Sequence, residues 1–423
     1  MFYKAVDPRT GNMWDTWLCE RVGTWYLYYL ARCGEQWDNI SLATSPDGLH
    51  WRERGPILSQ GAGVTWMGTG STWRAPQRAD RYQINFSEWK GPRQTIFFAE
   101  SHDLLRWDRL GDQYEFRQDE RWYETQGRWD CIWTLARPDG GLYGYWTATP
   151  KPGTGGRFGF GQSEDGVTWQ ALPPPVVHEV GEGEVGAIER IGDRWYMMFG
   201  TGGEMLTLVA DRPEGPFVPA ALNLRLLSGH TYFSRFFPRP EGLLVNHHAI
   251  ARDGQVYLGL LKSARVDGDG ALRLRWWAGN DRLDVQRVHL DLPPGHLAPG
   301  SPVLLDLRLD AAGGALVEGR WDLSCSDGPG RGGLYIECEG PLGAAIFVSA
   351  DGRAELGAMG PDGAGFQVEK TVDRELDFGS APTCRLALQH SLLELYLGDC
   401  LIECFSLPAR ATGRLGWVRP TPV

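Results

Sequence analysis

Along this chain short runs of alternating apolar and polar residues are separated by clusters of Gly, Pro, Asp and Ser. Runs such as GTWYLYYLA, GGLYGYWTA and GDRWYMMFG have the period of two expected of strands, and stretches with helical period are hard to find. The pattern therefore predicts an all-β protein. A turn followed by a strand carrying a tyrosine recurs, and the copies register on Tyr26, Tyr82, Tyr143, Tyr196 and Tyr257, at steps of 56, 61, 53 and 61 residues. A second signature follows three of these strands: SPDGLHW from Ser45, SHDLLRW from Ser101 and SEDGVTW from Ser163, with DRPEGPF from Asp211 as a weaker fourth. Each reads as an Asx-rich turn leading to an aromatic that anchors the next strand.

A repeat of roughly 50 to 60 residues with about four short strands per unit is the signature of a β-propeller, and five copies predict five blades. Beyond RLDVQRVHLDLPPGHLAPGSP the tyrosine repeat stops, while the period-two alternation continues through AAIFVSADGRAELGAM and CRLALQHSLLELYLGDCLIECFSL. The expected organisation is a propeller over residues 1–295 followed by a C-terminal β-sandwich over 302–423.

Composition narrows the function. The net charge is −11 and the 42 Lys and Arg are scattered, so there is no electrostatic footprint for nucleic acid. No run approaches the length of a membrane span, and MFYKAVDPRTG has no apolar signal-peptide core, so the expectation is a cytoplasmic protein with no membrane partner. The eight cysteines show neither C-x-x-C nor a metal-ligand spacing, which predicts reduced, mostly buried thiols and no bound metal or other cofactor. Many of the 19 tryptophans flank polar residues, a pairing suited to sugar rings, although indoles also serve as core.

The innermost strand of each propeller blade lines a central channel, so equivalent positions near its start converge. Ten to thirteen residues before the registered tyrosines stand Asp15, Ser71, Asp130, Glu184 and His247. Three of these are acids, set in MWDTW, RWDCIW and GEVGAIE. Converging carboxylates bind a cation such as calcium, serve as hydrogen-bonded structure, or divide the roles of glycoside hydrolysis: one protonated acid for the leaving group, one ionised carboxylate as nucleophile or base. Glu182, two residues from Glu184 and on the same face of a strand, is the alternative acid. Loops at the same end of the channel bring Trp37, Asp38, Glu88 and Trp89 forward as sugar contacts. Trp73, Arg74 and Arg128 are candidates to bind hydroxyls or orient carboxylates, and His247 and His248 to rim the pocket.

At these residues the chain resembles glycoside hydrolase family 32, the invertases, inulinases and levanases, over nearly its whole length. NMWDTWL corresponds to the family's W-M-N-D-P-N-G, RWDCIW to R-D-P, EVGAIERIGDRWYMMF to the E-C-P region, and RLALQHSLLELYLGD, with Glu394, to a late sandwich strand. Pro-Asn-Gly does not follow Asp15, Trp129 separates Arg128 from Asp130, and Val185 stands in place of the family cysteine. The resemblance implies a five-bladed propeller joined to a sandwich and a retaining glycosidase acting on a furanoside or small oligosaccharide. In it Asp15 is the nucleophile, Glu184 the acid/base and Asp130 the residue that holds substrate hydroxyls. The alternatives are a carbohydrate-binding propeller without catalysis and an inverting hydrolase of the arabinofuranosidase or xylosidase kind.

Overall fold

The computed structural model describes residues 1–32, 34–291, 300–323 and 332–419, and its regular structure is strand throughout apart from short 3-10 turns. Two compact units are present: Tyr3–His248, and Met1–Phe2 with Ala249–Val423. The expected first-domain end at residue 295 lies outside the described residues, as do Cys33 and Cys325. The other six cysteines are free thiols. No helix among the described residues is long and apolar enough to cross a membrane.

The first unit is a succession of antiparallel meanders. Sheet one is β1 (Asn12–Arg21), β2 (Thr24–Arg32), β3 (Asn39–Ser45) and β4 (Arg52–Ser59). In sheet two the first strand is broken into β5 (Trp66–Gly68) and β6 (Thr72–Arg74), both paired with β7 (Tyr82–Lys90) and followed by β8 (Arg93–Ser101) and β9 (Asp108–Arg109). Sheet three is β10 (Trp129–Ala136), β11 (Leu142–Ala148), β12 (Gly159–Ser163) and β13 (Gln170–Leu172). Sheet four is β14 (Glu184–Ile191), β15 (Arg194–Thr201), β16 (Glu204–Ala210), β17 (Val218–Pro219) and β18 (Arg225–Leu227). A fifth hairpin, β19 (Ser234–Arg239) with β20 (Gly242–Ile250), closes the series. Between sheets, β1 packs beside β6, β7 beside β10, β10 beside β14, β14 beside β19 and β19 beside β1, so the circuit of contacts returns to its start.

The repeated sequence features have local causes. In each S-x-D turn the serine hydroxyl accepts the N–H three residues on: Gly48 at 2.9 Å, Leu104 at 2.9 Å and Gly166 at 2.8 Å. One aspartate oxygen accepts two further N–H groups, as Asp165 does from Val167 at 2.9 Å and Thr168 at 2.7 Å. The turn thereby satisfies backbone donors that a strand end would leave bare. The aromatics fill the seams between sheets. Trp17, Tyr28, Phe86 and Trp107 pack between the first two, and Trp73, Phe98, Trp129 and Trp146 between the second and third. Each fully buried ring contributes about 1.5–3 kcal/mol from the area withdrawn from water.

The fifth copy is not where the tyrosine register put it. Tyr257 lies in the strand Val256–Leu258, and the hairpin that follows the other four uses Gly242–Ile250 as its second strand. Register pairs Tyr26 with Cys19 and Tyr196 with Glu189, and in the fifth hairpin Leu244 takes that place opposite Phe237. An aliphatic there removed the marker residue while keeping the strand.

In the second unit one sheet includes, as neighbours in order, Leu272–Trp276, Cys400–Ser406, Leu392–Leu397, Thr383–Gln389 and Ala315–Arg320. A six-stranded sheet of residues 303–418 shares a core with it, to which Leu386, Leu395 and Ile402 contribute from one side and Ile336, Ile346 and Leu356 from the other. Glu394, wholly buried in this unit, accepts from Lys262 Nζ at 2.6 Å.

Candidate active site

Three of the sheets carry a bulge at the same level of their first strand. The ladder slips between Trp14 and Trp17 in β1, between Asp130 and Trp133 in β10, and between Val185 and Ala187 in β14. Each slip faces the residue three past the repeat tyrosine, namely Tyr29, Trp146 and Phe199. In sheet two, where the strand is interrupted between Gly68 and Thr72, the same level is occupied by Asn85 against Ser71. A bulge bends a strand and re-aims its side chains. Asp15 lies within its bulge, with φ at +45°, while Asp130 and Glu184 immediately precede theirs. The three expected acids thus sit at one level to within one residue.

Asp130 and Glu184 share an arginine. Arg128 Nη2 donates to Glu184 Oε1 at 2.7 Å and to Asp130 Oδ2 at 3.3 Å. Tyr232 donates its hydroxyl to the other Glu184 oxygen at 2.6 Å. Ser87 donates to Asp130 Oδ1 at 2.6 Å and in turn accepts from Gln94 Nε2 at 2.9 Å. Asp130 is buried, Glu184 keeps 28% of its side chain exposed and Arg128 41%, so the network is sealed on one side and open on the other.

Electrostatics couple the third acid to the pair. Asp15 keeps part of its residue surface at solvent, yet the atoms packed around its carboxyl desolvate it. That burial, and next the charge of Glu184, hold its pKa well above the ordinary carboxylate range; Asp130 pushes the same way, while Arg235 and Arg128 oppose. Burial also raises Asp130, against Arg128 and the Ser87 hydroxyl. Arg235 is wholly buried, donates to the Val185 carbonyl at 2.8 Å and stacks its guanidinium 4.3 Å from the Phe233 ring. Among the described residues no three His, Cys, Asp or Glu side chains are grouped to hold a metal ion, and a guanidinium bridges two of the acids.

The bulges are held by side chains of neighbouring strands. Asn246 in β20 donates Nδ2 to both the carbonyl and the hydroxyl of Thr16, each at 2.8 Å. Asn85 in β7 accepts the Ile132 N–H at 2.9 Å and donates to the Ile132 carbonyl at 3.0 Å. Thr147 in β11 accepts the Val185 N–H at 3.1 Å.

The remaining candidates divide. Trp37 is half-buried 6.1 Å from the Trp14 ring, beside Asp15, with the Arg32 guanidinium 5.2 Å from its face. Asp38 accepts from Asn39 Nδ2 at 2.6 Å within its own loop. Trp73 is core: its indole N–H goes to Gln83 Oε1 at 2.8 Å and its rings meet Phe98 and Trp169. Arg74 is exposed, pairs in register with Tyr82 at the tyrosine level of the sheet, and donates to the Ala79 carbonyl. Glu88 is buried and occupied, taking Arg109 on both oxygens at 2.7 and 2.6 Å and the Gly61 N–H at 2.7 Å. His247 lies buried in the second strand of its hairpin opposite Ser234, not on the first strand, because Leu244 rather than Tyr257 holds the marker position of the fifth repeat. His248 is also buried, its ring 4.5 Å from Trp14 and its pKa pushed down to about 3, chiefly by burial. Glu182 is exposed, and the contacts to Arg128 and Tyr232 belong to Glu184. Tyr232 and Arg235 stand on the first strand of that hairpin and its approach, signalled in the sequence by TYFSRFF followed by a Pro-Glu-Gly turn and a second apolar run.

No family model matches the sequence, and none of the curated proteins matches it. Solved structures do resemble it. Fructan 1-exohydrolase IIa from Cichorium intybus aligns over 99% of this chain and 94% of its own, with a TM-score of 0.75 at 15% identity. The GH32 β-fructofuranosidase BmSUC1 of Bombyx mori aligns over 100% and 95%, with a TM-score of 0.67 at 13% identity. Exo-inulinase from Aspergillus awamori aligns over 99% and 98%, with a TM-score of 0.65 at 12% identity. The chain therefore has the all-β fold of these structures along its whole length.

Proposed function

We propose that this chain is a retaining glycosidase of β-fructosides, built as a five-bladed propeller followed by a β-sandwich. The observation that carries the reading is the joining of Asp130 and Glu184 by Arg128, with Asp15 electrostatically coupled to both. The closed circuit of contacts between the sheets supports five blades, and the similar structures, a fructan exohydrolase, a β-fructofuranosidase and an exo-inulinase, support the substrate class.

In this reading a carboxylate oxygen of Asp15 attacks the anomeric carbon as the bond to the leaving oxygen breaks, and Glu184 delivers its proton to that oxygen. Water then attacks the glycosyl ester, Glu184 takes the water proton, and Asp15 is released. Arg128 and Tyr232 fix the two Glu184 oxygens, so the acid is presented in one orientation. Asp130, held by Ser87 and Arg128, accepts from substrate hydroxyls. Trp37 and Trp14 offer apolar faces beside Asp15 to the sugar ring.

The test is incubation with sucrose, inulin and levan oligomers and nitrophenyl furanosides, with product configuration followed by NMR. Hydrolysis with retention, lost by about 10³-fold or more in Asp15→Asn and Glu184→Gln, is the expected result. A folded wild-type protein that turns over none of these substrates overturns the reading.

A further inference from the structure

We propose that Asn246 and Asn85 are positioning residues, each lending its side-chain amide to a bulge as a substitute ladder partner and so fixing where Asp15 and Asp130 point. The inference rests on the glycosidase reading for its effect on turnover, and on the geometry alone for its effect on the carboxylates.

A bulge leaves backbone groups without their cross-strand partner, and buried groups of this kind need another. Asn85 meets the need in full, because its oxygen takes the Ile132 N–H and its nitrogen serves the Ile132 carbonyl. Those are the two bonds a neighbouring strand would make. Asn246 serves the Thr16 carbonyl and hydroxyl together, and since a carbonyl only accepts, the amide nitrogen must face it. Both asparagines are wholly buried. Each comes from the second strand of a neighbouring hairpin or sheet, β20 for β1 and β7 for β10, so the register of an acid-bearing strand is set from outside that strand.

The conformations held in this way are ones the chain would otherwise leave. Asp15 at φ +45° and Cys131 at φ +49° occupy the left-handed region, which non-glycine residues enter only when the surroundings impose it. If the β1 bulge relaxed into a regular ladder, the side chains there would alternate to the opposite face. Asp15 would then part from the groups that face it: Glu184 on β14, Asp130 and Arg128 at β10, and Tyr232 and Arg235 at β19, with the His248 ring of β20 against its neighbour Trp14.

The experiment is a carboxyl titration of protein labelled with [¹³C]aspartate, with the Asp15 resonance assigned by its loss in Asp15→Asn. In Asn246→Ala the Asp15 midpoint is expected to fall toward the ordinary carboxylate value, with kcat on sucrose or inulin reduced roughly 100-fold and KM changed far less. Asn85→Ala moves the Asp130 midpoint instead. Thr16→Val removes one of the two bonds to Asn246 and gives an intermediate shift; it decides the matter if Asn246→Ala does not fold. Thr207→Val, a buried hydroxyl on β16, is the control and leaves both midpoints unchanged. A folded Asn246→Ala protein with an unaltered Asp15 midpoint and kcat, or a Thr207→Val protein that shifts equally, overturns the proposal. If wild type turns over no fructoside, the titrations still decide the positioning role and the failure belongs to the proposed function.

Discussion

Tyr232 and Arg128 grip Glu184 from opposite oxygens, and glycines leave the room for Tyr232 and for the bond between Ser87 and Asp130. A Cβ on Gly200 would lie 2.6 Å from the Tyr232 hydroxyl, and one on Gly68 would lie 2.2 Å from Ser87 Oγ and 2.6 Å from Asp130 Oδ1. Gly200→Ala is therefore expected to displace the Tyr232 hydroxyl and to match Tyr232→Phe in lowering kcat/KM, by about 3- to 10-fold, the value of one hydrogen bond. Steady-state kinetics on both variants check it. Asp15 carries a stability consequence as well. Its folded pKa is raised, so its contribution to stability is complete below the unfolded value and is lost as pH rises through the folded one. Asp15→Asn should raise the thermal unfolding midpoint at pH 7 while leaving it unchanged below about pH 4. Thermal melts across that range test the sign.

The turns between strands behave in the opposite way. Burial opposes the charge on Asp165, but the N–H groups of Thr168 and Val167 and the hydroxyls of Thr168 and Ser163 overcome it and hold the carboxyl below its ordinary value. Stability from this turn is present above the unfolded pKa and is lost as pH falls through the folded one. Asp165→Ala should cost about 1–3 kcal/mol near neutral pH and less as the pH falls below about 4, as read by denaturant melts. These turns were legible in the sequence because Ser-x-Asp has one local geometry. The inner acids were legible because the tyrosine marks a fixed register. What escaped was the fifth hairpin, whose marker is Leu244, and the bulges, where Thr16 and Ile132 are bonded by Asn246 and Asn85 far away in the chain. Trp73 and Glu88 differ from the expectation for a related reason: a tryptophan beside polar residues looks the same whether it faces a sugar or, as here, Gln83, and a loop carboxylate gives no sign of its Arg109.

For the molecule as a whole, the likeness to these solved structures at 12–15% identity shows how little of the fold depends on particular letters. Alternation, turn chemistry and aromatic seams suffice, and many residues supply them. In the proposed mechanism Asp15 must lose its proton to attack, so kcat/KM is expected to rise with pH on its acid limb through a midpoint above that of an ordinary aspartate, as a pH–rate profile reads. Because Arg128 already bridges Asp130 and Glu184, dialysis against EDTA is expected to leave turnover unchanged. The slips in β1, β10 and β14 have one more implication. A site located by misregister is inherited as an address rather than as a word. Substitutions around Asp15, Asp130 and Glu184 can erase a recognisable motif while the address persists, whereas deletion of a single residue at position 15 or 16 would remove the address and, with it, the site.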